Sequence, residues 1–200
     1  MDITLTSCAL MIAAGIILIT LFSIIFYSPY RTDVEIRSIG DSFLSTIHTV
    51  ESSWFETSHS YLFSPSVANY RIVVSPESLT IATAGNDADV RMHRQMFLST
   101  PWIRRANDSW VNASTLHEHL YQMFGSNGTK DDPLNDSITI TEMLEKEWNE
   151  SYAYFLYSPY EIKTSTPVIV EKCLIYRDSN DNDVWDKTDQ RMQYLLLYQR

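Results

Sequence analysis

Residues 8–27 read CALMIAAGIILITLFSIIFY, twenty positions without one charge. An α-helix needs about 20 such residues to cross a hydrocarbon core of about 30 Å. The segment therefore predicts a transmembrane helix. It divides the chain into a short flank (1–7), the span (8–27), an amphipathic helical stem (28–60) and a polar-surfaced domain (61–200). A lipid bilayer is the partner that the span implies.

The formal net charge is −10 and the pI is near 4.8. Nucleic acid and anionic lipid surfaces select basic patches, so the balance argues against both. Glycine is scarce, at 5 residues, which argues against glycine-rich phosphate loops. Cys8 stands at the membrane edge and Cys173 in an expected strand. The two are not placed for a mutual disulfide, which needs Cα atoms within about 7 Å.

Two signals bear on orientation. Arg31 and Arg37 follow the span and no basic residue precedes it, which by the positive-inside rule favours a cytoplasmic domain. Against this, Asn-X-Ser/Thr acceptor sequences begin at Asn107, Asn112, Asn127, Asn135 and Asn149. Glycosylation at these candidates requires an extracytoplasmic surface. The sequons outweigh the two arginines, and the expected location is a single-pass cell-membrane protein with its C-terminal domain outside.

Pro29 is expected to end the span, because proline disfavours helix at the residue before it. Beyond it, Ile36, Ile39, Phe43, Ile47, Val50 and Trp54 recur at three- and four-residue steps. That spacing makes an amphipathic helix over 31–55. The runs 70–74 and 79–83 flank Ser75-Pro76-Glu77 and predict a hairpin, with a third strand within 90–98. Residues 101–114 read as irregular. A helix is expected over 115–124, with Ser114 as N-cap and Gly125 as the residue past its end. Residues 125–136 read as a loop. A second helix over 141–157 carries Leu144, Trp148, Tyr152 and Phe155 on one face and Asn149 on the other, and Thr139 and Glu142 have capping-box spacing. Residues 166–176 and 192–199 read as central strands. The fold class is α+β: an N-terminal transmembrane helix plus an amphipathic helix, then a mainly antiparallel sheet head with two packed helices.

Four segments invite a chemical reading. In 178–189, Asp178, Asn180, Asn182, Asp186 and Asp189 place oxygen side chains at loop positions one, three, five, nine and twelve. Val184 would add a carbonyl from position seven. Calcium takes six to eight such oxygens, and the segment resembles EF-hand and thrombospondin-type calcium loops. Asp183 stands where the tight turn wants glycine, and Asp189 where a longer glutamate chelates. The same composition also fits a solvated acidic hairpin tip without metal. His117 and His119 lie two apart on a helix, so they diverge and cannot share one ion. Cys173 in an apolar strand reads as an inert core residue. Trp102, Trp110 and Trp148 suit either core packing or a sugar-binding cleft. No catalytic motif is present, and no small-molecule substrate is suggested.

The order of apolar stem, contiguous amphipathic helix and strand-rich head with a late acidic loop resembles type IV pilins and pseudopilins. It is also similar, more loosely, to archaeal single-pass surface proteins. The resemblance implies a non-enzymatic envelope protein that engages other surface or filament subunits, with calcium in the late loop. An accessory subunit of a membrane complex and an anchored envelope hydrolase are the alternative expectations.

Overall fold

The computed structural model describes residues 2–64, 70–83, 91–135, 138–179, 185–186 and 189–200, with backbone alone for 2–10, 23–30 and 138. The fold is α+β, with antiparallel and mixed sheets.

Helix α1 (Asp2–Glu51) runs unbroken for 50 residues, about 75 Å at 1.5 Å per residue. Pro29 does not end it, contrary to the reading of a boundary there. A proline forfeits one backbone bond, and the bonds of neighbouring turns carry the helix across. The C-terminal half buries Ile36, Phe43, Ile47 and Val50, as the three-four spacing requires. Trp54 falls past the helix end and is 77% exposed, so it does not join that stripe. The N-terminal half is different: Met11, Ile12, Ile16, Ile17, Leu18, Ile19, Leu21 and Phe22 are all exposed. Among the described residues no helix is long and apolar enough to cross a membrane. The window 8–27 includes 8–10 and 23–27, whose side chains lie outside that description.

The strands are β1 (Thr57–Tyr61), β2 (Tyr70–Val74), β3 (Ser78–Thr83), β4 (Met92–Met96), β5 (Trp102–Ile103), β6 (Leu134–Asn135), β7 (Tyr160–Ile162), β8 (Val168–Asp178) and β9 (Gln190–Gln199). One sheet runs β1-β8-β9-β5, with β6 also pairing β8; the other runs β4-β3-β2-β7. The expected hairpin is β2–β3, and β4 extends it. The head is not antiparallel throughout: β5 lies parallel to β9 and β6 parallel to β8. These two short strands come from segments read as irregular or loop, β7 from a segment left unassigned, and β1 from the end of the expected helical stem (28–60), whose helix stops at Glu51.

Helices α2 (Ala113–Phe124) and α3 (Ile138–Tyr157) complete the head. The N-cap of α2 is Asn112, not Ser114: its side chain accepts from the Thr115 backbone N–H, and the Thr115 hydroxyl accepts from the Asn112 N–H. Gly125 ends α2 at φ 81°, in the left-handed region where a Cβ is costly. Helix α3 already includes Ile138, so Thr139 and Glu142 stand inside it instead of forming its cap.

The β8–β9 pair is the central layer. Strand alternation sends Val168, Val170, Leu195 and Leu197 to one core, with α1 and the smaller sheet. Ile169, Cys173, Ile175, Leu196 and Tyr198 go to the other, with α2 and the first half of α3. The direct partners Val170↔Leu197 and Ile169↔Tyr198 keep these sets in register.

Candidate functional site

Strand β1 pairs with β8 so that Thr57 stands opposite Lys172. One residue earlier, the same register brings Glu56 to Cys173, on the face that α2 covers. The Leu174 N–H donates to Glu56 Oε1 at 2.8 Å, fixing that carboxylate. Helix α2 lowers His117 onto it. His117 Nε2 is 3.1 Å from Glu56 Oε1 and 3.7 Å from Cys173 Sγ, and its Nδ1 is 2.7 Å from the Asn127 carbonyl. A carbonyl only accepts, so Nδ1 carries a proton.

Burial alone would lower the His117 pKa. The Glu56 carboxylate and the Asn127 carbonyl outweigh it and hold the imidazole above its ordinary range. For Glu56, burial works upward, but His117 and the Leu174 N–H hold it below the usual carboxylate range. Burial, with Glu56 and Glu171 nearby, pushes the Cys173 thiol well up. The three ligand-capable atoms lie within 4.8 Å of one another, close enough to hold a metal ion. This cluster is absent from the sequence reading, which took Cys173 as inert core and weighed His117 only against His119. The histidines do diverge as expected: His119 Nε2 faces Glu147 at 3.8 Å, away from His117.

Of the acidic segment's expected ligands, Asp178, Asp186 and Asp189 are among the described residues. Asn180, Asn182 and Val184 lie outside the described residues. Asp178 is fully buried at the end of β8. Asp189 accepts from the Ser179 N–H through Oδ1 at 2.8 Å and from the Asp186 N–H through Oδ2 at 2.7 Å. Both of its oxygens thus brace the turn.

The tryptophans separate. Trp102 and Trp110 are buried, with ring centroids 4.6 Å apart and planes at 88°, an edge-to-face pair that the ring quadrupoles favour. Trp148 stacks on Tyr152 at 5.2 Å. Trp102 and Trp148 do meet along a groove of about 590 Å³, with Tyr194, Glu51 and Glu145, whereas Trp110 is not part of its lining. Asn149 is exposed on the outer face of α3 beside Glu142, Glu145 and Glu150, as expected, and also borders this groove.

Of the other sequons, Asn107 and Asn135 are exposed. Asn112 caps α2, and Asn127 Oδ1 accepts from the Thr129 N–H at 2.9 Å. These two half-buried side chains already serve local structure.

No family model, curated protein or solved structure matches the chain.

Proposed function

We propose that the chain is a membrane-anchored cell-envelope protein with a structural or interaction role, its head outside the cytoplasm and its stem built like that of a pilin. One observation carries the reading: a single helix has two unlike halves. From Ile36 onward its apolar residues are covered by the head, whereas Met11 to Phe22 expose theirs. At about 100° per residue, Ile16, Ile17, Leu18 and Ile19 point in four directions round the axis. One docking stripe cannot cover them, because a helix apolar all round needs an apolar environment on every side. Lipid supplies that environment, and so does a bundle of equivalent helices. The exposed sequons at Asn107, Asn135 and Asn149 support the outward orientation.

Fractionation tests the anchor. The full chain should stay with membranes through high-salt and alkaline washing, and a chain lacking residues 2–30 should be soluble and folded. A truncated head that still sediments with membranes overturns the reading, as does a full chain that washes off. Protease added to intact cells should remove the head; protection would reverse the orientation. Disulfide trapping through Ile17→Cys separates the two roles. Homodimers crosslinked within membranes support self-assembly, whereas a single heterologous adduct supports an accessory subunit.

A further inference from the structure

We propose that Glu56, His117 and Cys173 bind one thiophilic divalent cation of the zinc type, leaving a fourth position open to solvent. The inference is independent of the anchor, because all three residues belong to the head.

Geometry is the first argument. A tetrahedral zinc with bonds of about 2.1 Å to N and O and about 2.3 Å to S separates its N and O ligands by about 3.4 Å and its N and S ligands by about 3.6 Å. Here the separations are 3.1 and 3.7 Å. Both edges at His117 thus lie within a few tenths of an ångström of such a tetrahedron, and the Glu56–Cys173 edge is within 4.8 Å.

The second argument is the orientation of the imidazole. Metal-bound histidines typically donate their other N–H to a carbonyl or carboxylate, which sets the tautomer and aims the ligand nitrogen. The Asn127 carbonyl does this for Nδ1 at 2.7 Å. Nε2 is thereby the nitrogen aimed at Glu56 and Cys173. Glu56 is held in turn by the Leu174 N–H, so two of the three ligands have their own support.

Donor chemistry selects the ion. A thiolate beside an imidazole suits zinc and similar borderline-soft cations, and calcium and magnesium prefer all-oxygen sets. The site is thus chemically distinct from the acidic 178–189 segment. The Glu56 side chain is 43% exposed and His117 12%, so the carboxylate marks the way in and leaves room for a water ligand. The metal takes Cys173 as thiolate and His117 as neutral imidazole, so the thiol proton, and the Nε2 proton wherever the imidazole carries one, leave to solvent on binding.

Cobalt(II) is the probe. The full chain, purified in detergent and stripped with a chelator, should take up one equivalent of Co²⁺ and develop a thiolate-to-cobalt charge-transfer band with intense tetrahedral visible bands. One equivalent of Zn²⁺ should abolish both. Cys173→Ser should remove the charge-transfer band, and Glu56→Gln and His117→Gln should each weaken binding at least tenfold. Glu56 is the control for folding, since its half-exposed side chain tolerates substitution better than buried Cys173; far-ultraviolet circular dichroism checks each variant. The proposal is overturned by absence of the band in the folded wild type, by its survival in Cys173→Ser, or by Glu56→Gln binding as tightly as wild type.

Discussion

The two faces of the β8–β9 pair obey different rules. The face toward α1 meets aliphatic and aromatic residues almost throughout: Val168, Val170, Leu195 and Leu197 pack with Phe43, Ile47 and Val50. Its main polar feature is Lys172, whose ammonium donates to the Glu51 and Ser53 carbonyls at the end of α1. A cation there satisfies carbonyls the helix leaves free and opposes the negative end of its dipole. The opposite face carries the buried chemistry. Glu171 accepts from the Tyr198 hydroxyl and the Ala113 N–H. Arg104 donates to the Trp110 carbonyl and lies 3.6 Å over the Trp110 ring. Glu56, His117 and Cys173 complete the set. One face therefore anchors the stem mainly by packing, with Lys172 holding its end, and the other holds groups that charge, donate and ligate.

The largest effect should fall on the apolar face. Phe43 is fully buried and contacts Tyr61 and Phe63, with centroids at 5.2 and 5.5 Å. Phe43→Ala should cost about 3–5 kcal/mol through lost burial and a cavity that the rigid sheet cannot close. Denaturant unfolding of the head measures it. A loss below about 1 kcal/mol would mean that the stem does not share the head's core.

The second effect belongs to the polar face. Gly128 has φ 74°, and a Cβ there would stand 3.1 Å from Ile175 Cγ2 and 3.2 Å from Leu134 Cδ1. Gly128→Ala should destabilise by about 2 kcal/mol, since a left-handed backbone is costly for alanine and the neighbours must move as well. It should also loosen the 125–135 segment that carries the Asn127 carbonyl. Faster amide exchange at Tyr176, whose N–H donates to the Gly128 carbonyl, would report this directly.

These contrasts explain what could be read before the fold was known. The stem's three-four spacing, the 70–83 hairpin and the two long final strands were legible because each pattern is local. The α3 face was legible for the same reason. Strands β5 and β6 have two residues each, too few to show alternation. Strand β1 reads Thr-Ser-His-Ser-Tyr, a polar run with exposed centre, and only pairing with β8 makes it a strand. That pairing was also what hid the metal-capable cluster. Glu56 and Cys173 are brought together by β1–β8 register, and α2 brings His117, so no spacing motif announces the site. Pro29 misled because its local cost is real but smaller than the combined bonds of a 50-residue helix.

A smaller effect separates hydrogen bonding from packing on the polar face. Burial and the Glu171 carboxylate push the Tyr198 phenol up to about 12, from 10.0. Between these values the unfolded chain has released the proton and the folded one retains it, so stability falls as pH rises through the window. Tyr198→Phe should cost about 1–1.5 kcal/mol near neutrality, the upper part of the range of an ordinary intramolecular hydrogen bond. The wild type's advantage should then shrink above pH 10, because phenylalanine has no proton to lose. Paired melting curves from pH 8 to 11 test this, and a constant gap across that range would break the link to Glu171.

The smallest effect returns to α1, where the two faces can be compared by one methyl group. Gly40 is buried within the helix, and a Cβ there would collide with the end of the Gln95 side chain on β4. Alanine favours a helix interior over glycine by about 1 kcal/mol, whereas displacing Gln95 disturbs its bond to Asp41. The obstruction is the far end of a flexible side chain and not backbone, so the two terms oppose one another at similar size. Gly40→Ala should shift stability by less than about 0.5 kcal/mol, in contrast to Gly128→Ala, where the obstacles are branched core residues and the backbone is left-handed. A loss as large as that of Gly128→Ala would show Gly40 to be a close-packing position, and the α1 seam against β4 to be as rigid as the polar face.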